Sequence, residues 1–191
     1  MARRLRPVGA DFAGATGSAG SAPLRLTFVS RTAAEPARVY RALAEDVTAW
    51  PRWYRVVTLA RPLDGTGRRR REIRLMGGAR FEETVMAADA PERYAYRVDA
   101  TNVPGLRAVL EDWRLAPAGS GTLVRWTLAL DAPLPLRCLV LLGRPVMRRT
   151  FRDAVRALDR HLAADGATGA AGAPGDGGPD DGAPGRAAAR G

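Results

Sequence analysis

RRRREIRLMGGARFEETVMAADAPERYAYRVDA, residues Arg68–Ala100, reads as three β-strands separated by two short turns. Apolar and polar side chains alternate along each segment, the period of an extended chain whose neighbours point to opposite faces. Gly77-Gly78 and Asp89–Glu92 interrupt the alternation with turn residues. The pattern opens one strand earlier, at Val56–Arg61, and continues through AVLEDWRLA (Ala108–Ala116) and TLVRWTLAL (Thr122–Leu130), separated by the turn PAGSG. A six-stranded antiparallel meander is expected. One face collects Ile73, Leu75, Phe81, Val85, Tyr94, Tyr96, Val98, Trp113, Leu115, Val124, Trp126 and Leu128. The other carries Arg70, Glu72, Arg74, Arg80, Glu82, Arg93, Arg97, Asp112, Arg114 and Arg125, and should meet water.

Upstream, Leu24–Ser30 reads as a further strand. Glu35-Pro36 then opens a helix whose Val39, Tyr40 and Leu43 recur at helical spacing. TAWPRWY (Thr48–Tyr54) predicts a short second helix or turn, with Trp50 and Trp53 plugging the end of the sheet. Downstream, Leu136, Val140, Met147, Phe151, Val155, Leu158 and Leu162 repeat at three, four and seven, so a long amphipathic helix is expected, interrupted near Gly143 and Pro145.

Length fits one domain: 191 residues, 46% hydrophobic. The folded part is expected over 23–164, between an N-terminal arm (1–22) and a Gly/Ala/Pro/Asp tail (165–191), both too poor in apolar periodicity to offset the entropy of ordering them. Net charge is +10 and belongs to the folded part, where residues 23–163 hold 25 basic against 15 acidic groups. Every basic residue is arginine, a compositional bias that dilutes any special meaning of Arg68–Arg71. That run is read as the frayed start of a strand. No aromatic residue alternates with the arginines to stack bases, so a nucleic-acid partner draws no support beyond the charge itself.

The longest apolar run, Cys138–Leu142, is far short of the ~20 residues that span a bilayer. Without a signal segment or a disulfide framework, a cytoplasmic location is expected, and Cys138 is expected to be a buried structural thiol. His161 is the sole histidine and falls near a helix end. One His and one Cys make no metal site, and no Gly-rich phosphate loop follows a strand, so no cofactor is expected. GDGGPDDG in the tail is too short to be a calcium repeat.

Two carboxylates break the apolar face, Glu83 between Phe81 and Val85 and Glu111 before Trp113. If like faces pair in each hairpin, Glu83 lies opposite Tyr96, Tyr96 opposite Glu111, and Trp113 opposite Trp126. Held in an apolar cavity, such a carboxyl has a raised pKa and can act as acid or base. Alternatively each glutamate pairs with an arginine such as Arg71 or Arg148.

EPARVYRALAEDVTAWPRWY, EETVMAADAPERYAYRV, GTLVRWTLAL and RRTFRDAVRALDRHL, in this order over about Leu24–Leu162, resemble the START-like (SRPBCC) superfamily and its polyketide cyclase/dehydrase-like branch. The resemblance implies an α+β helix-grip fold, a curved antiparallel seven-stranded sheet wrapped around a long C-terminal helix, with a cavity between them for a hydrophobic ligand. It carries no fixed catalytic triad. Expected ligand contacts are Phe81, Tyr94, Tyr96, Trp113, Trp126, Met147, Phe151 and Val155. The implied function is binding of a small hydrophobic or aromatic, polyketide- or lipid-like, molecule. Two alternatives stand beside it: a cyclase or dehydratase using Glu83 or Glu111 as acid or base with Tyr96 positioning an oxygen, and an interaction protein using the arginine face on RNA, ribosome or membrane.

Overall fold

The computed structural model describes residues 2–14, 21–63 and 69–171. Its elements run β1 (Arg3–Arg4), β2 (Leu24–Thr32), α1 (Pro36–Ala44), α2 (Trp50–Trp53), β3 (Val57–Pro62), β4 (Arg70–Leu75), β5 (Arg80–Asp89), β6 (Arg93–Thr101), β7 (Ala108–Ala118), β8 (Gly121–Asp131), α3 (Leu134–Leu142) and α4 (Arg144–Ala171). Seven antiparallel strands form one sheet in the order β2-β8-β7-β6-β5-β4-β3, and β1 adds a two-residue strand to β6. The first strand of the domain thus pairs with the last, and α1 and α2 fill the connection between the two edges. The helix-grip architecture expected from the sequence is present.

Local chemistry explains the boundaries. Pro36 and Pro51 sit in the first turns of α1 and α2, where a missing N–H costs nothing. The β4–β5 turn places Gly77 and Gly78 at φ +83° and +85°, a backbone region that favours glycine. Between α3 and α4, Gly143 donates to the Leu139 carbonyl at 3.0 Å, and Pro145 has no N–H with which to continue the ladder. The expected interruption falls there. Arg68 lies outside the described residues, and β4 begins at Arg70, consistent with a run that leads into a strand.

The core lies on the concave face, where Phe151, Val155 and Leu158 of α4 are buried with Phe28, Trp113 and Trp126 of the sheet. The convex face is less wet than its charge pattern suggests. Glu72 is fully buried beneath Arg61, Arg74 and Arg80, at 2.6, 2.7 and 2.8 Å, and Asp112 is held by Arg93 and Arg114 at 3.0 and 3.2 Å. Burial would raise the Glu72 carboxyl, but hydrogen bonds from Arg74 and Arg61 and the charge of Arg80 hold it below its ordinary value.

One expectation fails at the N-terminus. Residues 2–14 do not form a disordered arm: Arg3 and Arg4 pair with Thr101 and Ala100, and Leu5 N–H donates to the Asp99 carbonyl at 2.8 Å. Val8, Phe12, Ala13 and Ala22 then cover Ala108, Leu110 and Ala129, apolar side chains on the convex face. Leu110 on an otherwise charged face needs such a cover. Residues 15–20, and 172–191 of the expected C-terminal tail, lie outside the described residues; α4 itself runs to Ala171, past the expected boundary at 164. Cys138 is exposed rather than buried, because α3 turns other residues toward the domain.

Phe12 is 1% exposed. Phe12→Ala should therefore lower stability by about 3 kcal/mol in denaturant unfolding, and a chain beginning at Pro23 should melt at a lower temperature than the full chain. An unchanged melting temperature for both would show that the arm contributes nothing.

Candidate functional site

Arg71 points from β4 into the concave face, at a position where the alternation sets it beside Ile73 on the buried side. Its side chain is 3% exposed, and its guanidinium lies between the rings of Trp50 and Tyr96, 4.3 and 4.0 Å from their centroids. Nε donates to Glu83 Oε2 at 2.7 Å and Nη1 to the Tyr94 hydroxyl at 3.0 Å. Nη2 is buried without a hydrogen-bond partner among the described residues, as is Trp50 Nε1. Burial alone would drive Arg71 toward its neutral form, but the charge of Glu83 opposes this and holds the guanidinium firmly protonated. Burial pushes the Glu83 carboxyl up to about 7, against the pull of Arg71 and with a further push from Glu111.

Glu111 has a different environment. Its Oε2 accepts the Tyr96 O–H at 2.6 Å and the Trp126 Nε1–H at 2.8 Å, and the Tyr96 oxygen in turn accepts the Trp113 Nε1–H at 3.1 Å. Burial raises its pKa, while the hydrogen bonds from Tyr96 and Trp126 and the charge of Arg71 oppose the rise without cancelling it. Tyr96 is pushed well above its ordinary value by burial and by Glu111, so it remains a phenol and a donor.

The expected register holds in part. Tyr96 lies opposite Glu111 and Trp113 opposite Trp126. Glu83, however, lies opposite Val98, and Tyr96 faces Val85. The β5–β6 hairpin closes with Asp89 opposite Arg93, and an irregularity between Val85 and Ala87 restores the buried face by bulging Met86. Glu83 pairs with Arg71, one of the two arginines suggested by the sequence. Arg148 is exposed and makes no pair with Glu111.

A cavity of ≈ 250 Å³ opens between the sheet, α2 and the α3–α4 junction. Among the described residues its wall is apolar except for Glu83, Glu111, Tyr96 and the polar edges of Trp50, Tyr54 and Trp126. Of the candidates named from sequence, Glu83, Glu111, Tyr96, Phe81, Trp126 and Met147 reach this wall. Tyr94, Trp113, Phe151 and Val155 do not; they are packed behind it. Phe151 is 0% exposed, with its ring 5.7 Å from Trp126, 6.0 Å from Trp113 and 6.2 Å from Phe28, so no gap for a ligand exists beneath it. The cavity lies N-terminal of Phe151 along the two helices, beside Met147, Val140 and Leu136. Sequence reading missed Trp50 and Tyr54 as wall residues, and also Val103 and Leu106 of the β6–β7 loop. Only an apolar residue in a loop, otherwise unexplained, could have marked the last two. His161 sits 3.5 Å from Asp165 on α4, away from the cavity.

A family profile described as polyketide cyclase / dehydrase and lipid transport matches residues 24–164. The chain belongs to this family, within the START-like superfamily. An uncharacterized protein of Mycobacterium tuberculosis, Rv2574, is 28% identical over 129 residues, covering 66% of this chain and 77% of that protein. Among solved structures, a START superfamily protein from Mycobacterium smegmatis aligns with a TM-score of 0.61 at 14% identity, over 73% of this chain and 97% of that one. A protein from Thermus thermophilus, TTHA0849, aligns with a TM-score of 0.58 at 20% identity, over 74% and 99%. The profile establishes the family, and the solved structures the fold.

Arg71→Ala should destabilise the chain by about 3 to 5 kcal/mol, because it leaves Glu83 buried without its cation. The pH dependence has a definite sign. Glu83 is raised from 4.5 to about 7 on folding, so in that window the folded chain keeps a proton that the unfolded chain has released. Stability therefore falls as pH rises from about 4.5 to about 7 and levels off above it. Urea unfolding at stepped pH should show this fall, and a Glu83→Gln/Glu111→Gln variant should lose it.

Proposed function

We propose that this protein binds a small, largely apolar molecule, aromatic or lipid-like, in the cavity between the sheet and the α3–α4 junction. The observation that carries the reading is an apolar cavity of ≈ 250 Å³ whose only charged wall groups, among the described residues, are two carboxyls on one side. An apolar cavity of roughly 150 Å³ accepts benzene, so this space suits a ligand of two or three fused rings or a short branched chain. Hydroxyl groups on such a ligand would find acceptors in Glu83 and Glu111, each of which uses only Oε2 in its hydrogen bonds among the described residues. Membership of a family described by both cyclase/dehydrase chemistry and lipid transport supports the same class of ligand.

A second reading rests on Glu83. A carboxyl that titrates at about 7 and lies on a cavity wall is suited to taking and returning a proton at neutral pH, as a cyclisation or dehydration requires. Tyr96 contributes less to this than the sequence suggests, since its O–H is committed to Glu111.

Titration with a two-ring aromatic alcohol such as naphthol should quench tryptophan fluorescence, because Trp50 and Trp126 line the cavity, and should raise the melting temperature by mass action. Val103→Trp, which adds bulk to the cavity wall, should abolish both effects while leaving the fold intact. Persistence of both in that variant would place the ligand elsewhere. Glu83→Gln separates the two readings: a binding protein keeps its affinity within about tenfold, whereas an enzyme loses turnover by roughly a hundredfold or more.

A further inference from the structure

α3 is turned inside out for a surface helix. Leu136 and Val140 line the cavity, yet Leu134, Leu139, Leu141 and Leu142 are exposed at 63%, 64%, 47% and 79%, and Val146 at the start of α4 at 69%. At about 3.6 residues per turn, Leu134, Cys138, Leu139, Leu141 and Leu142 fall on one continuous arc, so the helix presents an unbroken apolar stripe to solvent. Five of the seven large hydrophobic side chains exposed among the described residues are in this short segment. Surface hydrophobics scattered singly need no explanation, but a contiguous stripe marks a contact.

The charges around the stripe identify the partner. Between Asp131 and Asp153 the chain has no acidic residue, and it carries Arg137, Arg144, Arg148, Arg149 and Arg152. A second copy of the same face would bring these cations together, which disfavours self-association. Arginines bordering an apolar helical face are the pattern of a helix that lies in a lipid interface, with the apolar side among the acyl chains and the cations at anionic headgroups. No helix among the described residues is long and apolar enough to cross a membrane, so the contact is peripheral.

We propose that α3 and the first turn of α4 seat this protein on an anionic membrane, with Leu139 and Leu142 inserted and Arg144 and Arg148 at the headgroups. The site is distinct from the arginine-rich convex face of the sheet, where Glu72 and Asp112 already engage Arg61, Arg74, Arg80, Arg93 and Arg114. It also places the lipid directly over the helix that roofs the cavity. The docking itself does not depend on what the cavity binds.

Co-sedimentation of the full chain with vesicles tests this. Vesicles of equal parts phosphatidylcholine and phosphatidylglycerol should retain the protein, and phosphatidylcholine alone should not. Leu139→Asp/Leu142→Asp should abolish retention while leaving the melting temperature and naphthol quenching unchanged, which separates this proposal from the cavity reading. Arg144→Ser/Arg148→Ser should weaken retention by roughly tenfold or more, since each cation at an anionic surface contributes roughly fivefold. Arg31→Ser/Arg125→Ser, an equal charge loss on the convex face, should have little effect. The proposal is overturned if the wild-type chain is not retained, if the convex-face variant loses retention as much as the α3 variants do, or if the chain is a dimer that Leu139→Asp/Leu142→Asp converts to a monomer.

Discussion

The buried guanidinium of Arg71 ties together four elements, three consecutive strands and the α2 helix. Taking an arginine out of water costs several kcal/mol, and three contacts offset that cost: the Glu83 carboxylate from β5, the Tyr94 and Tyr96 side chains from β6, and the Trp50 ring from α2. Each of these fixes a degree of freedom. The Arg71–Glu83 pair sets the β4–β5 register, with the two residues directly opposite. Stacking on Trp50 holds the short α2 helix against the sheet, a helix of four residues that would have little stability by itself. The cavity begins where this cluster ends, because Trp50, Glu83 and Tyr96 each show one side to Arg71 and another to the cavity wall.

The second carboxyl has no salt-bridge partner among the described residues. Glu111 takes its hydrogen bonds from Tyr96 and Trp126, so the two glutamates bring different chemistry to one wall. Glu83 is a salt-bridge partner near its titration point; Glu111 is the end of a hydrogen-bond chain running from Trp113 through Tyr96. All members of that chain come from adjacent positions on β6, β7 and β8. The arrangement makes one side of an otherwise apolar cavity polar.

Two parts of the molecule handle exposed apolar surface in opposite ways. On the convex face, Ala108, Leu110 and Ala129 are covered by Phe12 and Val8 of the N-terminal segment. On the far side of α3, the leucines have no cover among the described residues. The first is the ordinary solution for a sheet that buries both faces; the second is the surface that the membrane proposal assigns to lipid.

The strands, the helix breaks and the division of side chains between two faces follow from sequence alone, because each depends on neighbours at spacings of two, three or four. Trp113 opposite Trp126 and Tyr96 opposite Glu111 are legible for the same reason: the β7–β8 and β6–β7 pairings keep like faces together. Tertiary structure decided the remainder. Glu83 faces Val98 instead of Tyr96 because the hairpin closes with Asp89 opposite Arg93, which displaces the expected register, and the bulge at Met86 takes back only part of that displacement; neither leaves a periodic trace. Phe151 and Met147 share one helical stripe, yet one is sealed in the core and the other lines the cavity. Where the sheet curls away from α4 is a property of the whole sheet and of no single segment. Burial of Phe12 and exposure of Leu142 likewise depend on which surfaces meet in space, and local periodicity carries no information about that.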